Sequence, residues 1–234
     1  MSEVQISEFQ GATWYHCADS ETLAAAAAQL TITQLNAAIA QYGEAHLVVP
    51  GGRSPAALFA HLAAAALNWR QINLYPSDER CLPVGDGERN DVMIEALLLK
   101  PAAIPREQFH PMAAEQGATS AAAAYQQLLA ATPPFSVALL GMGEDGHTAS
   151  LFPQHLALTA TSSAAAVFAA PKPPPERVTL TLPRLRASGC KIVLATGSAK
   201  HAVLRRIAAG ERFPVTAVAP DYWITDIAKA DLGA

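Results

Sequence analysis

Short apolar runs alternate with alanine-rich blocks along most of the chain. The runs are rich in valine, isoleucine and leucine and lie at residues 47–49, 72–75, 137–140, 178–182 and 192–194. Near-continuous apolar character is typical of strands that are buried on both faces of a sheet. Their alternation with helix-length blocks predicts an α/β fold with a doubly wound, largely parallel, Rossmann-like sheet and helices on both faces.

Four alanine-rich blocks supply the predicted helices, because strong helix formers fill them and larger apolar residues recur within them. They lie near residues 24–30, 56–67, 121–131 and 199–209. The proline-rich segment 170–175 cannot be helical and predicts a rigid surface loop that leads into the strand at Val178. The chain has no internal repeat, and we expect a single domain over residues 1–234.

The composition is typical of a folded globular protein and gives no sign of nucleic-acid binding. Hydrophobic residues make up 51% of the chain and charged residues 15%, so the chain can bury a large core. The net charge of −4 gives no support for a nucleic-acid surface, which needs a basic stripe. A few converging arginine and lysine side chains can still form a local pocket for a small anion.

Cysteine usage and the apparent lack of targeting segments predict a cytoplasmic protein. Cys17, Cys81 and Cys190 are far apart and form no CxxC pair, which argues against a disulfide framework or a zinc site. The first residues show no basic segment followed by an apolar one. The alanine run at residues 24–28 is too short to span a bilayer, so we expect no membrane segment.

The first candidate ligand loop follows the first of the apolar runs. It contains Gly51, Gly52, Arg53 and Ser54, and Pro55 follows at the start of a predicted helix. Glycines let the backbone turn sharply near a ligand, and the N-terminus of a helix attracts anions. The same residues also suit an ordinary strand-to-helix turn, with Ser54 as the N-cap. From this loop alone, phosphate binding and a plain turn remain equally open.

The most informative loop comprises residues 141–148, with the sequence GMGEDGHT. Its glycines match the G-x-G-x-x-G pattern of dinucleotide sites, but no acidic residue occurs between Asp145 and Glu176 to bind a ribose. Its spacing also matches a nucleotide P-loop, but His147 stands where that motif requires lysine. Both nucleotide interpretations fail, and we expect no nucleotide cofactor.

A histidine held in a glycine loop at the end of a strand suits proton transfer, because imidazole ionises near neutral pH. His147 is therefore the candidate general base, and Asp145, two residues earlier, is a candidate partner that orients it. The remaining histidines lack such a setting and are expected to be structural or surface residues: His16, His46, His61, His110, His155 and His201.

Two other strand ends carry ionisable residues. Asp78, Glu79 and Arg80 directly follow one apolar run, and Lys200 lies at the glycine turn after another. Arg177 precedes a further predicted strand. A solvated surface role explains each of them when they are taken singly. Together with the first loop they suggest a clamp for a phosphate group.

Several segments resemble the 6-phosphogluconolactonase family. The run GMGEDGHTASLFP at residues 141–153 is similar to the signature of that family and is highly specific. Weaker blocks follow the family's order along the chain, at residues 78–83, 89–90, 177–183 and 195–200. The resemblance extends from about residue 48 to residue 218. It implies a fold shared with glucosamine-6-phosphate deaminases.

The resemblance also implies an activity, the hydrolysis of 6-phospho-D-glucono-1,5-lactone to 6-phosphogluconate in the pentose phosphate pathway. By similarity, His147 acts as the general base and Arg80 lies near the sugar. The implied phosphate site comprises Gly51, Gly52, Ser54, Arg177 and Lys200. The expected substrate-binding set further includes Asp78, Glu79, Gly143 and Arg53, although Arg53 stands where many members have serine or threonine.

The expected chemistry needs no metal and no cofactor, because the carbonyl of a lactone is already electrophilic. His147 would take a proton from water as the water attacks C1, and would return it to the departing ring oxygen. Arg80 or backbone N–H groups of the loop would stabilise the oxyanion. No group of His, Cys, Asp and Glu residues has the spacing of a hydrolytic metal site.

Two alternatives belong to other functional classes. A sugar-phosphate isomerase or deaminase of the same fold carries a glutamate shortly after its Asp-Gly-His, whereas residues 148–175 contain no carboxylate. A non-catalytic sugar-phosphate sensor has no need of His147, and no helix-turn-helix segment is evident. We therefore expect a small phosphorylated sugar lactone as the ligand, no nucleic-acid or membrane partner, and a monomer or weak homo-oligomer.

Overall fold

The computed structural model describes residues 4–52 and 55–233. Its strands are β1 (Gln5–Phe9), β2 (Ala12–His16), β3 (Ala45–Val49), β4 (Ile72–Pro76), β5 (Asp78–Arg80), β6 (Val137–Gly141), β7 (Ala164–Val167), β8 (Arg177–Leu180), β9 (Cys190–Ala195) and β10 (Tyr222–Thr225). Its helices are α1 (Ser20–Tyr42), α2 (Ala56–Ala64), α3 (Asn90–Ile94), α4 (Ala118–Ala130), α5 (Leu182–Arg186), α6 (His201–Ala208) and α7 (Pro214–Ala217). A π-helical turn (Glu95–Leu99) continues α3.

The main sheet of the described chain has the strand order β1-β2-β10-β9-β6-β3-β4. All neighbouring strands from β2 to β4 run parallel, and only β1 is antiparallel, joined to β2 by a tight turn at the edge. Central residues pair in a continuous register, for example Leu47 with Val137 and Val137 with Cys190. The predicted doubly wound, largely parallel sheet is therefore confirmed.

Alternate residues of the central strands face two separate apolar cores. In β3, Leu47 and Val49 pack with α1 and α2 on one face, whereas Val48 packs with α4 and α6 on the other. All three side chains are fully buried. A strand that is buried on both faces cannot alternate apolar and polar residues, which explains the continuous apolar runs of the sequence.

The longest helix, α1, is long and apolar enough to cross a membrane by length and composition alone. Its buried residues nevertheless pack in one core cluster with those of β3 and α2. Asp19 caps its start by accepting a hydrogen bond from the N–H of Thr22, and Gly43 ends it with a φ of 83°. The run at residues 24–28 is thus part of a 23-residue core helix.

The expectation that residues 178–182 form a strand of the main sheet is wrong. Strand β8 lies in a separate sheet between β5 and β7 and is antiparallel to both. Residues 168–176 join β7 to β8 without a helix, whereas a parallel connection needs a crossover of a dozen or more residues. Every residue of β8 is buried, including Arg177 and Thr179, so its burial matches that of a main-sheet strand although its pairing does not.

Other boundaries differ less from the sequence prediction. The four alanine-rich blocks are confirmed as the sites of helices α1, α2, α4 and α6, although α2 ends at Ala64 and α6 spans only His201–Ala208. The proline-rich segment 170–175 is a loop that leads into β8. Within the described residues the sequence prediction missed β1, β2, β5, β7 and β10. The segment after β4, expected to be a loop, forms the short strand β5.

Substitution of Leu35 by alanine tests the packing of α1. Leu35 is fully buried in the core cluster between α1 and the sheet. Leu35→Ala should lower the free energy of unfolding by about 2–5 kcal/mol, because it removes buried apolar contacts and leaves a cavity. Urea denaturation measures the change. Thr33→Ala, at an exposed position of the same helix, is the control and should cost far less. Equal effects would contradict the assignment of α1 to the core.

Candidate active site

A cavity lies at the edge of the main sheet where β3, β4, β6 and β9 end. These strands are parallel, so their carboxyl ends lie at the same edge, and the strand order reverses between β3 and β6. Ligands of doubly wound sheets bind at such a switch point. The cavity brings together polar side chains from five separate segments, among them Asp78, Arg80, Asn90, His147, Arg177 and Lys200.

The loop after β6 presents His147 to this cavity. The N–H of Gly143 donates to the carbonyl of His147 at 2.9 Å, and Thr148 Oγ1 donates to the carbonyl of Gly141 at 2.8 Å. His147 Nδ1 lies 2.5 Å from Asp145 Oδ1. Because Nδ1 is engaged with the carboxylate, Nε2 is the nitrogen available for proton transfer. The predicted pairing of Asp145 with the imidazole is thus present in the fold.

At two positions of this loop, neighbouring side chains leave no space for any residue larger than glycine. A Cβ on Gly143 would lie 2.1 Å from the His147 ring and 2.7 Å from Asp145 Oδ1. Gly146 has a φ of 79°, and a Cβ there would lie 2.4 Å from the ring of Phe213. Larger residues would therefore displace the imidazole or its loop.

The Asp145 carboxylate is held in its charged form. Burial acts to raise the pKa of Asp145, but hydrogen bonds from His147 and the charge of its imidazole outweigh burial and lower that pKa. Asp145 therefore remains an acceptor for the Nδ1 proton. This favours the tautomer of His147 in which Nε2 carries the lone pair.

Two arginines lie opposite each other in the second sheet. Arg80 of β5 pairs in register with Arg177 of β8. Arg177 is buried, and its Nε and Nη2 donate to carbonyls of the proline-rich loop, those of Lys172, Pro173 and Pro174. Burial lowers the pKa of Arg177, Asp78 opposes this, and the like charge of Arg80 adds to the lowering. An anion between the two guanidinium groups would relieve their repulsion.

Arg80 retains a free donor. Its Nη1 donates to the carbonyl of Glu88, but its Nε is buried and has no hydrogen-bond partner within the described residues. A buried donor without an acceptor is destabilising. Since Arg80 lines the cavity, a ligand oxygen is the natural acceptor for this N–H group.

Lys200 lies at the end of the glycine turn after β9. Its ammonium group makes no ion pair or hydrogen bond within residues 4–52 and 55–233. Burial lowers the pKa of Lys200, and the nearby Asp226 carboxylate acts to raise it. Asp226 also fixes the turn, because it accepts hydrogen bonds from Thr196 Oγ1 and from the N–H of Gly197, each at 2.7 Å. Lys200 is therefore a positioned cation whose ammonium group is unpaired within the part of the chain that the structure describes.

The glycine turn after β3 contributes Gly51 and Gly52 to the cavity. Gly51 lies against the side-chain amide of Asn90, so that a Cβ at this position would be 2.1 Å from Asn90 Oδ1. Gly52 has a φ of 83°, a conformation that favours glycine. Arg53 and Ser54, predicted to complete this site, lie outside the described residues.

Comparison with known proteins identifies the family. A family model described as glucosamine-6-phosphate isomerases/6-phosphogluconolactonase matches residues 18–225. The chain belongs to this family. A 6-phosphogluconolactonase of Streptomyces coelicolor is 38% identical over 237 residues, covering 91% of this chain and 91% of that protein. One of Mycobacterium tuberculosis is 42% identical over 197 residues, covering 78% and 80%.

A solved structure of a 6-phosphogluconolactonase has a similar fold. The crystal structure of 6-phosphogluconolactonase from Thermotoga maritima matches with a TM-score of 0.83 at 26% identity, covering 91% of this chain and 97% of that chain. The predicted resemblance and the predicted fold are both confirmed by these comparisons.

The two carboxylates predicted to bind substrate in this family member take different positions. Asp78 lines the cavity but is almost completely buried and accepts hydrogen bonds from Ser77 Oγ at 3.0 Å and Ser150 Oγ at 2.6 Å. Glu79 is fully buried and does not line the cavity. Its oxygens accept hydrogen bonds from the backbone N–H groups of Arg80, Asn90 and Asp91 at 2.7–2.8 Å. Glu79 thus caps the start of α3.

Sequence reasoning missed two polar residues of the site. Asn90 lines the cavity and donates from Nδ2 to the backbone carbonyl of Asp78 at 2.8 Å. Ser150 connects the histidine loop to Asp78. Asn90 belongs to a sequence block that resembles the family, but its contact with Gly51 joins two distant segments and becomes visible only in the folded structure. Among the described residues, no three His, Cys, Asp or Glu side chains cluster as a metal-ligand set.

Stability should depend on pH through Glu79. Burial raises the pKa of Glu79 from 4.5 to about 7, although its backbone donors oppose this. Between these values the folded protein holds a proton that the unfolded chain has released, so the free energy of unfolding falls as pH rises through this window. In Glu79→Gln this contribution is absent. As pH rises from 4.5 to 8, the free energy of unfolding of the variant should therefore increase relative to that of wild type by on the order of 2–3 kcal/mol.

Urea denaturation of both proteins across this pH range measures the difference. Glu107→Gln, which changes an exposed glutamate, is the control and should follow wild type. Parallel stability curves for wild type and Glu79→Gln would show that the buried carboxylate holds no extra proton in the folded state.

Proposed function

We propose that this protein hydrolyses 6-phospho-D-glucono-1,5-lactone to 6-phosphogluconate in the pentose phosphate pathway. The observation that carries the proposal is the imidazole of His147, bonded through Nδ1 to Asp145, in a cavity that Arg80, Arg177 and Lys200 also line. A general base beside several cations fits a neutral carbonyl on a doubly charged phosphate ester. The 6-phosphogluconolactonases among its relatives support the same reaction.

His147 acts as the general base in this proposal. Nε2 takes a proton from a water molecule while the water oxygen forms a bond to C1 of the lactone. The carbonyl electrons move to its oxygen, and the resulting oxyanion accepts a hydrogen bond from the Nε–H of Arg80, which has no other acceptor among the described residues. When the tetrahedral intermediate collapses, the bond between C1 and the ring oxygen breaks. The imidazolium then returns its proton to that oxygen, and Asp145 stabilises the imidazolium in the interval.

Lys200 and the Gly51–Gly52 turn bind the phosphate group. Lys200 has no protein partner within the described chain, and glycine N–H groups are suitable donors to phosphate oxygens. Arg177 adds positive charge from the opposite wall, but carbonyl groups already occupy its Nε and Nη2. We assign Arg53 and Ser54 to the same phosphate site on sequence resemblance alone.

The cavity lining argues against isomerisation or deamination. Such reactions need a second acid or base close to the sugar ring, in addition to His147. Asp78 is the one carboxylate among the described lining residues, and its oxygens are engaged by Ser77 and Ser150. A sensor, in turn, would not require the Asp145–His147 pair.

The remaining expectations stay part of the proposal. We propose a single-domain, cytoplasmic enzyme that acts without a metal or cofactor. Its partner is a small phosphorylated sugar lactone, with neither nucleic acid nor membrane involved. A monomer or weak homo-oligomer suffices, because all proposed site residues belong to one chain.

Replacement of His147 tests the proposed general base. His147→Ala should lower kcat by about 10²- to 10⁴-fold, because no other base among the described lining residues is placed to activate water. Affinity for 6-phosphogluconate should change little, since the phosphate is bound elsewhere in the cavity. The lactone opens spontaneously, so initial rates with freshly made substrate are corrected for that background. His61→Ala, which removes a histidine outside the cavity, is the control. A folded His147→Ala variant with full activity would assign the base to another residue.

Replacement of Lys200 tests the proposed phosphate site. Lys200→Ala should weaken binding of 6-phosphogluconate at least tenfold, because a desolvated charge pair loses one partner. Calorimetric titration measures this affinity, and Lys100→Ala, at a lysine that is 72% exposed, is the matched control. The variant should also lose most of its preference for the phosphorylated over the unphosphorylated lactone. If the preference is retained in full, Lys200 does not contact the phosphate.

A further inference from the structure

Strand β10 places a carboxylate beside the turn that carries Lys200. Thr225, the last residue of β10, pairs in parallel register with Ala195, the last residue of β9. Asp226 therefore follows β10 at the same edge of the sheet at which the glycine turn follows β9. The side chain of Asp226 is 19% exposed and does not line the candidate active site. No step of the proposed reaction involves it.

The carboxylate of Asp226 is engaged at both oxygens. Oδ2 accepts hydrogen bonds from Thr196 Oγ1 and from the N–H of Gly197, each at 2.7 Å. Oδ1 lies 3.2 Å from His201 Nε2. Burial acts to raise the pKa of Asp226, but these hydrogen bonds outweigh burial and lower that pKa, so the group stays charged. Hydrogen bonds to a charged acceptor are stronger than those to a neutral one.

The partners of Asp226 lie on both sides of Lys200 in the chain. Thr196 and Gly197 precede it, and His201 follows it at the start of α6. Gly197 has a φ of 96°, and its carbonyl accepts a hydrogen bond from the N–H of Lys200 at 3.0 Å. Asp226 thus holds the backbone of residues 196–201 from both ends. The point from which the Lys200 side chain extends towards the cavity depends on these contacts.

Asp226 is also the main source of negative charge near the ammonium group of Lys200. Burial lowers the pKa of Lys200, and the Asp226 carboxylate acts against this. Glu144 also acts to raise that pKa and Lys172 to lower it, but these two side chains pair with each other at 2.5 Å, so their charges largely offset each other. The oxygens of Asp226 face the turn and form no ion pair with Lys200. The ammonium group therefore has a nearby opposite charge and stays available to a ligand.

We propose that Asp226 is a positioning residue of the phosphate site: it holds the turn that carries Lys200 and supplies negative charge near the lysine without contacting it. The carboxylate acts through Lys200 and not on the substrate itself. Direct pairing would occupy the lysine, whereas loss of the charge would leave a partly buried ammonium group without support. The inference rests on the proposed assignment of Lys200 to the phosphate group.

Asp226→Asn tests this role, because asparagine has nearly the same shape but no charge. The variant should bind 6-phosphogluconate more weakly than wild type by about fivefold or more in calorimetric titration. KM for the lactone should rise while kcat changes little, since His147 and Arg80 are unaltered. Asp221→Asn is the matched control, because Asp221 precedes the same strand at the opposite edge of the sheet and pairs with Lys191. Its affinity for 6-phosphogluconate should equal that of wild type.

A carboxylate that acted only by repelling phosphate predicts the opposite result, because its removal would tighten the binding of an anionic ligand. Tighter or unchanged binding by Asp226→Asn would therefore overturn the inference, and so would equal weakening by Asp221→Asn. If Asp226→Asn does not fold, Thr196→Val takes its place, since it removes one donor to Asp226 Oδ2. Weaker binding of 6-phosphogluconate by that variant supports the inference, and unchanged binding overturns it.

The charge of Lys200 is measured separately from ligand binding. NMR signals of the lysine Cε–Hε groups report their ionisation, and the signal that is missing in Lys200→Ala identifies Lys200. In Asp226→Asn, Lys200 should lose its proton at a lower pH than in wild type, because less negative charge then opposes the effect of burial. In Asp221→Asn it should titrate as in wild type. An unchanged Lys200 titration in Asp226→Asn would overturn the electrostatic part of the inference.

This titration needs neither ligand nor turnover, so it separates the inference from the proposed function. Wild type that fails to bind 6-phosphogluconate would contradict the proposed lactonase activity, but not the action of Asp226 on Lys200.

Discussion

Asp78 is buried between the segments that form the candidate site, and its two carboxylate oxygens accept hydrogen bonds from different parts of the chain. Ser77, at the end of β4, donates to one oxygen, and Ser150, beyond the histidine loop, donates to the other. Arg177 lies 3.9 Å away in β8. A buried carboxylate that loses its partners is strongly destabilising, by about 3–5 kcal/mol. These contacts therefore fix the position of the second sheet and of the histidine loop relative to the main sheet.

Asn90 extends this arrangement to the side of the cavity formed by the Gly51–Gly52 turn. Its amide donates to the backbone carbonyl of Asp78 and also lies against Gly51. Glu79, the neighbour of Asp78, caps the start of the helix that carries Asn90. Two adjacent buried carboxylates thus have different structural roles, one joining segments and the other orienting a helix. Hydrogen-bond donors of the protein engage both carboxyl groups, so neither is placed to serve as the general base.

Much of this arrangement could be predicted from sequence, because the central strands and the glycine loops carry local signals. Continuous apolar runs identified β3, β4, β6 and β9, and parallel strands bring their carboxyl ends together. His147 and Asp145 could be paired because they lie in one tight turn. The edge strand β1 and its neighbour β2 lack such a run. The placement of β8 was misjudged because its valine and leucine residues resemble those of a main-sheet strand.

The contacts that could not be predicted join residues far apart in the chain. Nothing local to Asp78 distinguishes a buried acceptor from a substrate ligand, since that depends on Ser150 lying within 2.6 Å of it. The same holds for Glu79, whose sequence neighbours are polar although its side chain is fully buried. The family pattern records that these residues occur together but not which of them faces the ligand.

The electrostatic character of the cavity follows from which charges remain unpaired. The chain as a whole has a net charge of −4, yet the acidic groups at the site, Asp78, Glu79 and Asp145, are each engaged by hydrogen-bond donors. Lys200 and the Nε–H of Arg80 have no such partner within the described chain. An anionic substrate therefore encounters preorganised positive charge without displacing internal ion pairs. Little reorganisation is then required when negative charge develops on the lactone oxygen, which is the condition under which fixed donors accelerate a reaction most.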